Sequence, residues 1–202
     1  GTSLGANLLG LYLVREGARC PLDGATLFSP PYDVAQGVEK FYNNCGGLFT
    51  WVIGQNLSNN LATYAMPDLR KYAPSKEEAD RLEGVLRNNK KGLRTLDQEV
   101  YVPMFGYDDV NAYYRDATIA GNLKNCKVPL FSLSALDDAI CPNDFNPNKE
   151  ASAPGSNVML ATTAIGNHCC HISGRVLPTV WFPEPIMEFI SYLEAESKFK
   201  AD

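Results

Sequence analysis

Gly1-Thr2-Ser3-Leu4-Gly5 fits G-x-S-x-G, a turn that lifts a serine hydroxyl above the end of a strand and leads straight into a helix. Such a turn is strained and crowded, which calls for small residues on either side. Alone the pattern is weak, because average Gly and Ser frequencies produce it by chance in roughly one chain in fifteen of this length. A serine at its free pKa is a poor nucleophile, so the chemistry needs a base to take its proton and an acid to orient that base. The only two histidines, His168 and His171, both lie just past the apolar run 157–165. The acid candidates, Asp137 and Asp138, close another apolar run, 128–135. Serine, aspartate and histidine therefore follow one another in the chain order such a turn requires, and the three weak signals support one another.

Elements that could position these groups are legible in the hydrophobic pattern. Leu8, Leu9, Tyr12 and Leu13 recur at helical spacing and Gly17 follows as a stop, which predicts a helix over 4–16. Residues 22–29 form a short apolar run closed by Pro30 and Pro31, which reads as a buried strand, and the signal returns at 128–135 and 157–165. These runs do not alternate cleanly, as expected of parallel strands covered on both faces. Between the first two strands lies a long stretch of aromatic and helical character. Within it, Pro74-Ser75-Lys76-Glu77-Glu78 makes a capping box, continued on one face by Ala79, Leu82 and Leu86. A second helix is predicted from Asp108 or Asp109 through Tyr114. Ile186, Phe189, Ile190 and Leu193 mark a last helix started by Pro183 and Pro185. The sum is part of an α/β sheet with a cap inserted in one crossover.

The 202 residues are 45% hydrophobic and 20% charged, which suits a globular domain and excludes disorder, collagen-like repeats and a disulfide miniprotein. Eighteen basic against 23 acidic residues leave a net charge of -5, so nucleic acid is not an expected partner. Cys20, Cys45, Cys126, Cys141, Cys169 and Cys170 contain no C-x-x-C pair and read as reduced, mostly buried thiols. No signal peptide is evident, and no apolar stretch approaches the ~20 residues of a membrane helix. Asn56-Leu57-Ser58 is a formal glycosylation acceptor of a kind common by chance. The cluster His168-Cys169-Cys170-His171 is too closely spaced for its members to converge on one ion, so no metal is expected there. A vicinal thiol pair beside the base does suggest sensitivity to oxidation.

The sequence resembles the α/β-hydrolase superfamily, and within it the branch known as AB hydrolase family four. Gly1-Thr2-Ser3-Leu4-Gly5-Ala6-Asn7 with Tyr12-Leu13 is similar to the branch's nucleophile elbow and helix. Phe105-Gly106-Tyr107 with Tyr113-Tyr114 is similar to its cap signature, and Asp137-Asp138 and Gly166-Asn167-His168 to its acid and histidine loops. Phe182-Pro183-Glu184-Pro185 matches some eukaryotic members, so the likeness runs from Gly1 to about Leu193.

The resemblance implies Ser3 as nucleophile, His168 as base, Asp138 as the acid, and the backbone N–H of Leu4 as one oxyanion donor. Asp138 is preferred over Asp137 because the superfamily's acid commonly stands four residues before a proline, here Pro142. His171 is then a neighbour with a local hydrogen-bonding role. Two departures, Asn167 where relatives often have glycine and Ala139 where proline is frequent, remove no catalytic group. The implied activity is hydrolysis of carboxylic esters of acyl lipids through an acyl-serine, without cofactor or metal. The alternatives are transfer of the acyl group to an alcohol, and a non-catalytic lipid-binding protein that kept the fold. Three segments are expected: 1–31 with the elbow, its helix and a strand; 32–125 as the helical cap, its aromatics Phe41, Tyr42, Phe49, Trp51, Tyr64, Tyr101 and Phe105 forming the cap's own core or lining an acyl pocket; and 126–202 with the acid and histidine loops. Superfamily members place several strands before the elbow, so the chain reads as a C-terminal fragment. The second oxyanion donor is then expected upstream, as is the membrane anchor that eukaryotic members often carry, and the fragment alone is expected to fold poorly and have little activity.

Overall fold

A computed structural model describes residues 1–199, so the last predicted segment is described up to residue 199. In chain order the main elements are α1 (Leu4–Glu16), β1 (Ala25–Phe28), α2 (Val34–Asn43), α3 (Leu48–Asn60), α4 (Met66–Tyr72), α5 (Lys76–Asn88), α6 (Val110–Asp116), β2 (Leu130–Ala135), β3 (Val158–Thr163), β4 (Ile172–Ser173), β5 (Thr179–Val180) and α7 (Pro183–Phe199). They fall into two compact units, Gly1–Gly37 with residues from Ala117 onward, and Val38–Asp116.

In the first unit β1, β2 and β3 form a parallel sheet in that order, and Thr2 extends it by a parallel bridge to Phe28. All six residues of β2 are buried, which explains why its sequence does not alternate. Leu130 packs with Ala6 and Leu13 of α1, Leu27, Ile119 and Val158. Phe131 and Leu133 pack with Phe28, Phe182, Ile186 and Phe189. Successive strand residues point to opposite faces, so α1 covers one face of the sheet and the start of α7 the other. The buried side of α1 carries Ala6, Asn7, Gly10 and Leu13. Asn7 is buried but satisfied, donating to Pro31 O at 2.9 Å and Ala117 O at 2.8 Å. Gly10 gives Ile119 room, since a Cβ there would stand 2.6 Å from Ile119 Cδ1.

The second unit is helical. Its α5 starts as the capping signal predicts, with Ser75 Oγ accepting from Glu78 N at 3.2 Å. Two π-helical turns, Leu61–Ala65 and Asp97–Tyr101, interrupt otherwise α-helical stretches. Its core is aliphatic: Ala62, Met66, Leu82, Leu86, Leu96 and Val100 are buried together, with Tyr101 packed against them. The other six aromatics singled out in the sequence are not among the residues of this cluster, and Tyr64 is 78% exposed. Asp97 is buried and accepts the hydroxyls of Tyr42 and Tyr114, the latter at 2.7 Å. Ser58 of the glycosylation triplet is buried in α3 and accepts from Asn89 Nδ2 at 2.7 Å.

Among the described residues no helix is long and apolar enough to cross a membrane. The six cysteines are free, but only Cys126 is buried, and Cys45 and Cys170 are exposed. The expectation of mostly buried thiols is corrected accordingly, since these side chains lie in loops and at helix ends rather than in the sheet.

Candidate active site

The chain reaches Ser3 along the edge of β1. Phe28 N donates to Gly1 O at 2.9 Å and Ser3 N donates to Phe28 O at 2.8 Å, after which α1 begins at once with Leu4. That reversal holds Ser3 at φ 52° and ψ −123°, a region few side-chain-bearing residues occupy. The two glycines of the motif have unequal reasons. A Cβ on Gly1 would lie 2.6 Å from Gly5 O and 2.8 Å from Ala6 Cα, whereas one on Gly5 would meet nothing within 4 Å. The crowding expected on both sides of the serine is present on the Gly1 side only.

Asp138 follows β2 and His168 follows β3, so each arrives from the carboxyl end of a parallel strand. Asp138 is buried, and its Oδ1 accepts the backbone amides of Ile140 and Cys141 at 2.8 Å each. The Nδ1 of His168 donates to Asp138 Oδ2 at 2.9 Å. The carboxylate thus draws the ring proton to Nδ1, leaving Nε2 to accept from Ser3 Oγ at 2.8 Å. Burial alone would pull the His168 pKa down, but the hydrogen bond with Asp138, aided by Cys141 and Cys169, raises it above the ordinary histidine value. Leu4 is the first residue of α1, where the opening amides have no acceptor within the helix and the positive end of the helix dipole adds to their field.

The structure separates the two aspartates by task. Asp137 Oδ1 accepts the amides of Gly166 at 2.9 Å and Asn167 at 2.7 Å, which braces the loop that carries His168. Asn167 in turn accepts from His168 N at 2.8 Å. Sequence reasoning treated Asp137 only as a rival to Asp138, and missed this bracing; the doublet itself, at the end of a strand beside the histidine strand, was the available signal.

His168, Cys169, Cys170 and His171 diverge. Cys169 packs against the Phe28 cluster, Cys170 is exposed, and His171 is buried between Phe28, with ring centroids 5.0 Å apart, and Trp181 at 6.3 Å. The ring nitrogens of His171 are buried, and the hydrogen-bonding group acting on the imidazole is the backbone of Ser134. Burial lowers the pKa of His171 below the ordinary histidine value. Gly166 makes room for it, since a Cβ there would stand 2.7 Å from the imidazole. Ser3, Ser29, Asn167 and Cys169 all have φ between 46° and 61°, so unfavourable backbone gathers around this one end of the sheet.

No family model matches the chain. Among solved structures, it is similar to an alpha/beta fold family hydrolase from Bacillus anthracis, with TM-score 0.46 and 20% identity over 96% of this chain and 65% of that one. It is 26% identical over 203 residues to a monoacylglycerol lipase of Saccharomyces cerevisiae, covering 99% of this chain and 43% of that protein. It is 28% identical over 177 residues to the phospholipase ABHD3 of Mus musculus, covering 86% of this chain and 40% of that protein. These similarities support the α/β-hydrolase superfamily as the chain's relatives. Its three-stranded parallel sheet is flanked by helices. The chain spans less than half the length of these two curated relatives.

Proposed function

We propose that the whole protein is a serine hydrolase that cleaves carboxylic esters of acyl lipids, with Ser3 as nucleophile, His168 as base and Asp138 as the acid. The observation that carries this reading is the unbroken hydrogen-bonded line from Asp138 through His168 to Ser3 Oγ. In the proposed cycle Ser3 Oγ attacks the ester carbonyl while its proton passes to His168 Nε2, and Asp138 stabilises the imidazolium at Nδ1. The developing oxyanion is met by the backbone N–H of Leu4 at the start of α1. His168 then hands the proton to the leaving alcohol and draws one from water, which releases the fatty acid and restores Ser3. The similarity to a monoacylglycerol lipase of yeast and a phospholipase of mouse supports acyl lipids as the substrate class.

The deciding experiment is covalent labelling of the full-length protein with a fluorophosphonate probe. Labelling is expected for the wild type and its loss for Ser3→Ala; undiminished labelling of the variant would remove Ser3 from the mechanism. Product analysis with added alcohol tests the fate of the acyl group: free fatty acid is expected to dominate, and ester formation outrunning it would make the protein a transferase.

A further inference from the structure

We infer that the loop carrying Asp138 and the loop carrying His168 also form a binding site for zinc, with Cys141 as the third ligand, and that zinc held there switches the histidine out of its role as base. Asp138, Cys141 and His168 each offer a ligand atom, and these atoms lie within 4.8 Å of one another. The donor set of carboxylate, thiolate and imidazole is that of zinc, and it disfavours magnesium and calcium, which take oxygen ligands. The spacing also suits a chelate. Asp138 and Cys141 are three positions apart on one loop, and that loop is already folded back on itself by the two amide hydrogen bonds to Asp138 Oδ1. His168 comes from a different loop, so the metal would join two elements, with water left to complete its coordination.

Binding balances as follows. The Cys141 thiol gives up its proton to solvent and binds as thiolate, Asp138 binds as carboxylate, and His168 gives a nitrogen lone pair. The effect on the base does not depend on which ring nitrogen binds. If zinc takes Nδ1, the ring proton must sit on Nε2, which can then no longer accept the Ser3 proton. If zinc takes Nε2, that lone pair is already used. The site itself stands on the three side chains, and its inhibitory effect rests on the proposed role of His168.

The test uses full-length protein stripped with EDTA, titrated with Zn2+ by calorimetry and with Co2+ by absorption, in a Cys45→Ser, Cys170→Ser background that removes the exposed thiols. One metal per chain is expected, with a thiolate-to-cobalt charge-transfer band. Cys141→Ala and Cys141→Ser should each abolish the band and weaken zinc by at least about 100-fold, since losing a ligand costs more than losing a group behind one. Ser3→Ala should bind zinc unchanged, which keeps the site separable from the nucleophile assignment. Zinc should suppress fluorophosphonate labelling, EDTA should restore it, and magnesium at equal concentration should do neither. Absence of the cobalt band, or zinc affinity unchanged in folded Cys141→Ala as judged by circular dichroism, would overturn the inference.

Discussion

Ser3 carries a side chain at φ 52° and ψ −123°, and a backbone so placed stores on the order of 1–3 kcal/mol. Glycine occupies that region without strain, although it gives back part of the gain through the freedom of the unfolded chain. Ser3→Gly is therefore expected to raise stability by about 1 kcal/mol in denaturant melts while abolishing probe labelling, whereas Ser3→Ala loses labelling without that gain. The raised pKa of His168 fixes a second expectation. A base must be neutral to accept a proton, so activity should rise with pH through a midpoint above the ordinary histidine value of 6.5. Stability has the opposite sign: the protonated pair contributes fully below 6.5 and loses its contribution as pH rises through the folded-state value. Asp138→Asn removes the main upward influence and leaves burial to act. The imidazole midpoint seen by NMR should then fall, and the rate should drop by about 10^4-fold, the cost of a base left in the wrong tautomer. A midpoint unmoved by this substitution would break the assignment of Asp138.

At the level of elements, backbone approach decides what the helices tolerate. A Cβ on Gly54 of α3 would stand 2.1 Å from Leu93 N and 2.2 Å from Gly92 C. These are main-chain atoms that cannot swing aside, so Gly54→Ala should cost at least about 1–3 kcal/mol by denaturant melting despite alanine's better helix propensity. The mild counterpart is Gly5→Ala in α1, where the added methyl meets nothing within 4 Å, and unaltered or slightly higher stability is expected. The limits of α1 and the cap of α5 were readable because periodicity, an N-cap serine and a stop glycine are local signals. The β4 and β5 hairpin was not, since strands of two residues leave no alternation to detect. The π turns around Ala62 and Val100 were equally hidden, because one extra residue per turn only blurs a hydrophobic stripe.

Over the whole chain, each of the two units has buried residues of its own, aliphatic around Leu86 in one and built on the faces of β2 in the other. Leu86→Ala is expected to cost about 2–5 kcal/mol in the helical unit, read as faster hydrogen exchange of α5 amides. The parallel sheet and the convergence of Ser3, Asp138 and His168 were legible because strand order and loop position are long-range consequences of chain order. The aliphatic core of the helical unit was misjudged from its aromatics, since burial depends on which helix face meets a neighbour and not on ring size. The register of β1 against β2 has a consequence for the chain between them. Ser132 Oγ donates to Leu27 O across 105 positions of sequence, so the hydrogen-bonded frame closes whatever length of chain runs between. Doubling such an excursion costs only about 0.6 kcal/mol of closure entropy. The stretch between the strands can therefore lengthen or shorten at little thermodynamic expense while the strands that lead to Ser3, Asp138 and His168 keep their register.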